Sequence, residues 1–78
     1  MAKMHYEFYT TLGCHLCDEA EALYKAVIPN SHIKTIEISA SDILMVQYGT
    51  RIPVLKRLDS AQELGWPFDA NTLLNFIQ

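Results

Sequence analysis

Two hydrophobic periodicities alternate along the first half of the chain. Residues Met4 to Tyr9 are mostly aromatic and apolar, and Ile33 to Ile38 alternate and are β-branched, so both segments predict strands. The segment between them predicts a helix that begins near Cys14 and ends at the Pro29-Asn30-Ser31 break. Its apolar residues recur at helical spacing, at Leu16, Ala20, Leu23 and Val27.

The second half of the chain repeats this alternation with shorter elements. Ser39 is the predicted N-cap of a second helix, and Gly49 is a natural C′ residue at its end. A strand from Pro53 to about Leu58 and a return strand from Ala61 to about Gly65 predict a hairpin. Asp69 is the predicted cap of the last helix. The buried side of that helix would run through Leu73, Leu74, Phe76 and Ile77, with Phe68 packed on Leu73.

The order of elements is therefore β-α-β-α-β-β-α. A β-α-β opening implies parallel pairing of the first two strands, and the closing hairpin adds an antiparallel edge. The expected fold is α/β, with helices on both faces of a mixed four-stranded sheet. A chain of 78 residues leaves no room for a second core, so residues 1–78 are expected to form one domain.

Composition and charge narrow the possible functions. Half of the residues are hydrophobic, which is typical of a globular chain. The formal net charge is −3 and the six Lys and Arg residues are scattered, so we expect no nucleic-acid-binding surface. No segment has the roughly 18 consecutive apolar residues of a membrane span, and the N-terminus does not read as a signal peptide. We therefore expect a cytoplasmic protein with no membrane partner, in a reducing compartment where structural disulfides do not persist.

The cysteine pair carries the candidate chemistry. Cys14-His15-Leu16-Cys17 lies where a predicted strand turns into a predicted helix. The helix start favours a thiolate at Cys14, which makes this residue the expected nucleophile. Cys17 returns to the same side of the helix one turn later and is the expected resolving residue. A C-x-x-C pair beside a β-α-β pattern in a cytosolic protein indicates redox chemistry.

Two other interpretations of the pair stay open. Cys14 and Cys17 could ligate a metal, or two copies of the chain could share an iron–sulfur cluster through Cys14. The chain offers only this pair in C-x-x-C spacing, and none of its three histidines is paired with another, so we predict no metal-ligand set. Alternatively, both cysteines are inert small core residues in a redox-inactive adaptor.

The sequence resembles glutaredoxins and thioredoxins at two motifs. The stretch from Tyr9 to Cys17 is similar to their active-site segment, and Arg51 to Leu55 is similar to their second signature, an apolar residue followed by a cis-proline. Trp66-Pro67-Phe68-Asp69 resembles the same region of short glutaredoxin-like proteins. The resemblance covers essentially the whole chain and implies a thioredoxin-like three-layer α/β/α fold.

The same resemblance implies a thiol–disulfide oxidoreductase that reduces protein or glutathione mixed disulfides by a dithiol mechanism. Pro53 would be cis and would face Cys14, and Ile52 would offer its backbone to an extended substrate. The partner would be a disulfide-containing protein or a small thiol, with glutathione or a thioredoxin-type reductase as electron donor. No cofactor is required.

Two departures from the glutaredoxin pattern concern glutathione. Thr11 stands where glutaredoxins usually carry a lysine, and Trp66-Pro67 stands where they usually carry two glycines. Arg51 could replace the missing positive charge. The backbone N–H groups of Phe68 and Asp69 could bind a carboxylate at the helix start, unless the Asp69 side chain caps them. Glutathione is therefore an optional co-substrate, and the electron donor stays open.

Overall fold

The computed structural model describes residues 5–78, and Met4 of the predicted first strand lies outside this range. The elements follow the predicted β-α-β-α-β-β-α order. Their bounds are β1 Tyr6–Thr10, α1 His15–Lys25, β2 Ile33–Glu37, α2 Asp42–Tyr48, β3 Val54–Arg57, β4 Glu63–Gly65 and α3 Ala70–Ile77. Short 3-10 turns at Asn30–His32 and Ile38–Ala40 flank β2. No helix within residues 5–78 is long and apolar enough to cross a membrane.

The four strands form one mixed sheet in the order β2-β1-β3-β4. As predicted, β1 and β2 pair in parallel, and their register sets Thr10 opposite Glu37 at the carboxyl end of both strands. The β3 strand is antiparallel to β1, and β4 pairs with β3 in an antiparallel hairpin. The carboxyl ends of β1 and β2 therefore lie at one edge of the sheet, where the chain enters α1.

Alternation along the central strands divides the core between the two faces of the sheet. Phe8 and Leu55 face one side, where they pack with Cys17, Ala20 and Tyr24 of α1 and Leu73 of α3. The next residues along, Tyr9 and Val54, face the other side and pack with Ile38 and with Tyr48 of α2. The structure therefore has helices on both faces, which confirms the three-layer thioredoxin-like architecture.

Two leucines that the spacing places on buried helix faces are instead exposed. Leu16 is 47% exposed and Leu74 is 41% exposed. The buried stripe of α1 runs through Cys17, Ala20 and Tyr24, so Leu16 lies one position off it. In α3 the stripe begins at Leu73, and Leu74 is rotated away from the core by the 3.6-residue period.

The start and end of α2 also differ from the prediction. The predicted N-cap, Ser39, lies inside a 3-10 turn that begins at the buried Ile38. The N-cap of α2 is therefore Ser41, whose Oγ accepts a hydrogen bond from the Leu44 N–H at 3.3 Å. Gly49 ends the helix with a right-handed φ of −53° and not as a left-handed C′ residue. At the end of the helix, Tyr48 packs against Tyr9, and the two rings stack with centroids 4.1 Å apart.

Candidate active site

The turn between β1 and α1 delivers Cys14 to the start of the helix. Gly13 has a φ of +77°, a left-handed conformation that glycine adopts without steric penalty. Cys14 then takes the extended conformation of an N-cap residue. Its N–H donates to the Thr11 carbonyl oxygen at 3.3 Å. The turn chemistry of the sequence therefore places this cysteine where the backbone N–H groups of the first helical turn point outward.

Cys14 and Cys17 are joined as a disulfide, with their Cα atoms 5.2 Å apart. The Cys17 N–H donates to Cys14 Sγ at 3.1 Å, so the sulfur of Cys14 takes the place of a capping oxygen. Cys17 is 3% exposed, whereas Cys14 is only partly buried at the edge of the core. Cys14 is therefore more accessible to a substrate than Cys17 is.

Apolar residues from three parts of the chain share one core cluster with the cysteine pair. Cys17 and Phe68 belong to one core cluster, and both Cys14 and Ile52 pack against it. The Ile52–Pro53 peptide bond is cis, as is Trp66–Pro67. Pro53 is buried. The structure thus brings Ile52 and Phe68 into the same cluster as the cysteines.

Pro53 is also tied to the segment before α3. The Trp66 N–H donates to the Pro53 carbonyl oxygen at 3.1 Å, and the Trp66 ring meets Phe68 edge-on at 5.1 Å between centroids. Trp66 is partly buried against the same core cluster. Trp66 therefore packs on the core.

The two polar candidates, Arg51 and Asp69, are engaged by the protein itself. Arg51 Nη2 forms an ion pair with Glu63, and its guanidinium lies over the Tyr48 ring, 5.0 Å from the centroid. Asp69 Oδ1 accepts from the Thr72 N–H at 2.8 Å and caps α3. That backbone hydrogen bond holds the pKa of Asp69 below its usual value. Both side chains therefore have intramolecular partners.

Glu37 is a residue of this site that sequence reasoning missed. One oxygen of its carboxylate accepts from the Leu12 N–H at 3.0 Å, and the other accepts from the Ser39 N–H at 3.1 Å. The Ser39 backbone N–H and then the Thr11 hydroxyl lower the pKa of Glu37. The available signal was its place at the end of a strand parallel to β1, since such ends share a sheet edge.

The described residues do not assemble a metal site. No group of three His, Cys, Asp or Glu side chains converges within residues 5–78. A structural zinc site takes about four ligands, and the cysteine pair supplies two sulfurs that are bonded to each other here. The pair is a disulfide in this structure, with Cys14 the more exposed of the two residues.

Comparison with known proteins agrees with this geometry. The profile of the Glutaredoxin-like domain family (DUF836) matches residues 5–78. The X-ray structure of structural genomics target protein XcR50 from X. campestris is 35% identical, with a TM-score of 0.75 over 92% of this chain and 93% of that one. The solution structure of the same target gives 34% identity and a TM-score of 0.77 over 95% and 92%.

A more distant structure shows the same fold. Protein Ne2328 from Nitrosomonas europaea is 25% identical, with a TM-score of 0.75 over 92% of this chain and 88% of that one. No functionally curated protein matches the chain. The family match spans nearly the whole sequence and includes both cysteines. The chain therefore belongs to the Glutaredoxin-like domain (DUF836) family.

Proposed function

We propose that this protein is a thiol–disulfide oxidoreductase in which Cys14 is the nucleophile and Cys17 the resolving residue. The observation that carries the proposal is the unequal placement of the two sulfurs. Cys14 caps α1 and is partly accessible, whereas Cys17 is buried behind it and bonded to it. The helix dipole and the Cys17 N–H both favour negative charge on Cys14 Sγ in the reduced protein.

The reaction proceeds by two exchanges. The Cys14 thiolate attacks one sulfur of the substrate disulfide, forms a mixed disulfide with it, and releases the other sulfur as a thiolate that takes a proton from water. Cys17 then loses its proton and attacks Cys14 Sγ. This step forms the Cys14–Cys17 disulfide and releases the second substrate thiolate. The substrate gains two electrons and the protein loses two, which an external dithiol or two thiols restore.

The apolar surroundings position the substrate. Ile52 and Phe68 line the cluster on which Cys14 rests. The Ile52 N–H already donates to the Tyr48 carbonyl oxygen at 3.0 Å. A backbone contact between Ile52 and an extended substrate would therefore use the Ile52 carbonyl oxygen as acceptor. Pro53 follows directly and has no N–H to donate.

The test measures reduction of 2-hydroxyethyl disulfide, a small neutral substrate, with dithiothreitol as the terminal reductant. We expect turnover by the wild type and only background reaction by Cys14→Ser, because the attacking thiolate is gone. When reduced Cys17→Ser is freed of dithiothreitol and mixed with 2-hydroxyethyl disulfide, it should accumulate a mixed disulfide at Cys14, detectable by mass, because no second thiol resolves it. Full turnover by a folded Cys14→Ser variant would contradict the proposal.

The electron donor is compared in the same assay. Parallel reactions replace dithiothreitol with glutathione and glutathione reductase, or with a thioredoxin reductase system. The donor that sustains turnover identifies the physiological class of reductant. Turnover with none of the three reductants would count against an oxidoreductase and in favour of an adaptor.

A further inference from the structure

Two exposed leucines flank the accessible sulfur. Leu12 is 91% exposed and Leu16 is 47% exposed, and each lies two residues from Cys14. Single apolar residues on a surface are common, so exposure alone indicates nothing. The position of this pair is informative because both exposed side chains belong to the turn and first helical residues that carry Cys14. We call Leu12 and Leu16 the apolar lip.

The backbone under the apolar lip is held in place. The Leu12 N–H donates to the Glu37 carboxylate at 3.0 Å, and Gly13 takes its left-handed turn directly after it. Leu16 is fixed in the first turn of α1. Because little backbone freedom is left to lose, a partner that covers these side chains gains from burial with a small ordering penalty.

The charge around the lip is negative. Residues 5–24 contain no Lys or Arg, and α1 carries Asp18 and Glu19 in this stretch, whereas Glu21 is paired with Lys25 at 3.4 Å. Glu37 adds a carboxylate directly beside Leu12, and its lowered pKa keeps it ionised. A ligand that carries Lys or Arg near its disulfide is attracted to this surface, and a ligand rich in carboxylates is repelled.

Two groups that could bind a carboxylate of glutathione, the Arg51 guanidinium and the Thr72 N–H in the first turn of α3, have intramolecular partners. Arg51 is paired with Glu63, and the start of α3 is capped by Asp69. At either group, a glutathione carboxylate would have to displace the intramolecular partner, which is itself a carboxylate. The site thus provides apolar contact and negative charge to a substrate. It provides few free groups that could bind a substrate carboxylate.

From these features we infer that the site selects protein disulfides flanked by an apolar side chain and by Lys or Arg, in preference to glutathione disulfide. The inference rests on the proposed function, because it names the substrate class of the same cysteine pair. The apolar side chain of the substrate packs on Leu12 and Leu16 while its disulfide meets Cys14. The cationic side chain faces the carboxylates of α1 and Glu37.

The test compares two disulfide-cyclised peptides that differ only beside the cysteines. One carries Leu and Lys there, and the other carries Ser and Asp. The kcat/KM for each peptide is divided by that for 2-hydroxyethyl disulfide, with dithiothreitol as reductant, so that any change in Cys14 reactivity cancels. We expect the Leu-Lys peptide to give the higher ratio, and added salt to reduce its advantage.

The decisive variant is Leu12→Ser, with Val46→Ser as its matched control. Val46 is 88% exposed, nearly the same as Leu12, but it lies on α2, on the opposite face of the sheet from α1. For the Leu-Lys peptide, Leu12→Ser should lower the normalised kcat/KM roughly tenfold, the order of effect of losing one buried apolar side chain. Val46→Ser should leave that ratio unchanged.

The outcomes separate this inference from the proposed function. If 2-hydroxyethyl disulfide is reduced but Leu12→Ser and Val46→Ser behave alike, the apolar lip has no role in selection and the inference is overturned. Faster reduction of glutathione disulfide than of the Leu-Lys peptide would overturn it as well. If 2-hydroxyethyl disulfide itself is not reduced, the proposed function fails and the inference fails with it.

Discussion

At the residue scale, three carboxylates join segments of the chain by hydrogen bonds. Glu37 binds the backbone of the turn before Cys14, Asp69 caps α3, and Glu63 accepts hydrogen bonds from Tyr48 and Arg51. Each has a lowered pKa because N–H or O–H donors stabilise its ionised form. These three carboxylates therefore have structural partners within the protein in addition to their charge.

Tyr48 illustrates how much such a contact contributes. Its ring is buried against Tyr9, and its hydroxyl donates to Glu63. Burial, followed by the Glu63 hydrogen bond, raises the pKa of Tyr48. We expect Tyr48→Phe to lower the free energy of unfolding by about 1 kcal/mol, the usual net value of one hydrogen bond.

Urea unfolding of Tyr48→Phe, Glu63→Ala and the double variant measures this contact as a double-mutant cycle. The two single effects should not add, because both remove the same hydrogen bond. Strict additivity would mean that the hydroxyl and the carboxylate do not interact in solution.

At the scale of elements, the helices pack on the sheet through narrow stripes of buried side chains. The α3 stripe is Leu73, 1% exposed, with Phe76 and Ile77 packed against the same core. Its neighbour Leu74 is 41% exposed although it is the same residue type in the same helix. This adjacent pair separates the contribution of core packing from helix propensity and composition.

We expect Leu73→Ala to lower the free energy of unfolding by about 2–5 kcal/mol, since it removes a buried side chain and leaves a cavity. Leu74→Ala should change it by only about 0.5 kcal/mol, as surface substitutions usually do. Denaturant unfolding of both variants gives the comparison. Equal losses would place the buried stripe of α3 elsewhere.

At the scale of the whole molecule, the same carboxylates make stability depend on pH. Glu37, Glu63 and Asp69 have pKa values below their ordinary values of 4.5 for Glu and 3.8 for Asp. In acid the unfolded chain therefore binds more protons than the folded protein. The stabilisation is complete above the ordinary values and is lost as the pH falls through the lowered ones.

We therefore expect the free energy of unfolding to decline as the pH falls below the ordinary Glu value of 4.5. Urea unfolding between neutral pH and pH about 3 measures the decline. In Glu37→Gln the decline should be shallower, because one carboxylate with a lowered pKa is gone. An unchanged slope would show that Glu37 keeps its ordinary pKa in the folded protein.

Much of the fold was predictable because it depends on local pattern. The β-branched alternation of β2, the glycine turn before Cys14 and the Asp69 cap each act within a few residues of sequence. Their consequences for φ, ψ and the first hydrogen bonds do not depend on the rest of the chain. The placement of Cys14 at a helix start is one of these local consequences, so the centre of the candidate site was visible in the sequence.

By itself, then, the sequence determined the order of elements, the sheet class and the cysteine at the helix start. Only the tertiary structure decided which side of each helix is buried and which carboxylate holds which segment. Glu37 meets Leu12 across 25 residues, and Arg51 meets Glu63 across 12. These contacts depend on strand register and on the rotation of each helix over the sheet, which the packing of the complete core sets.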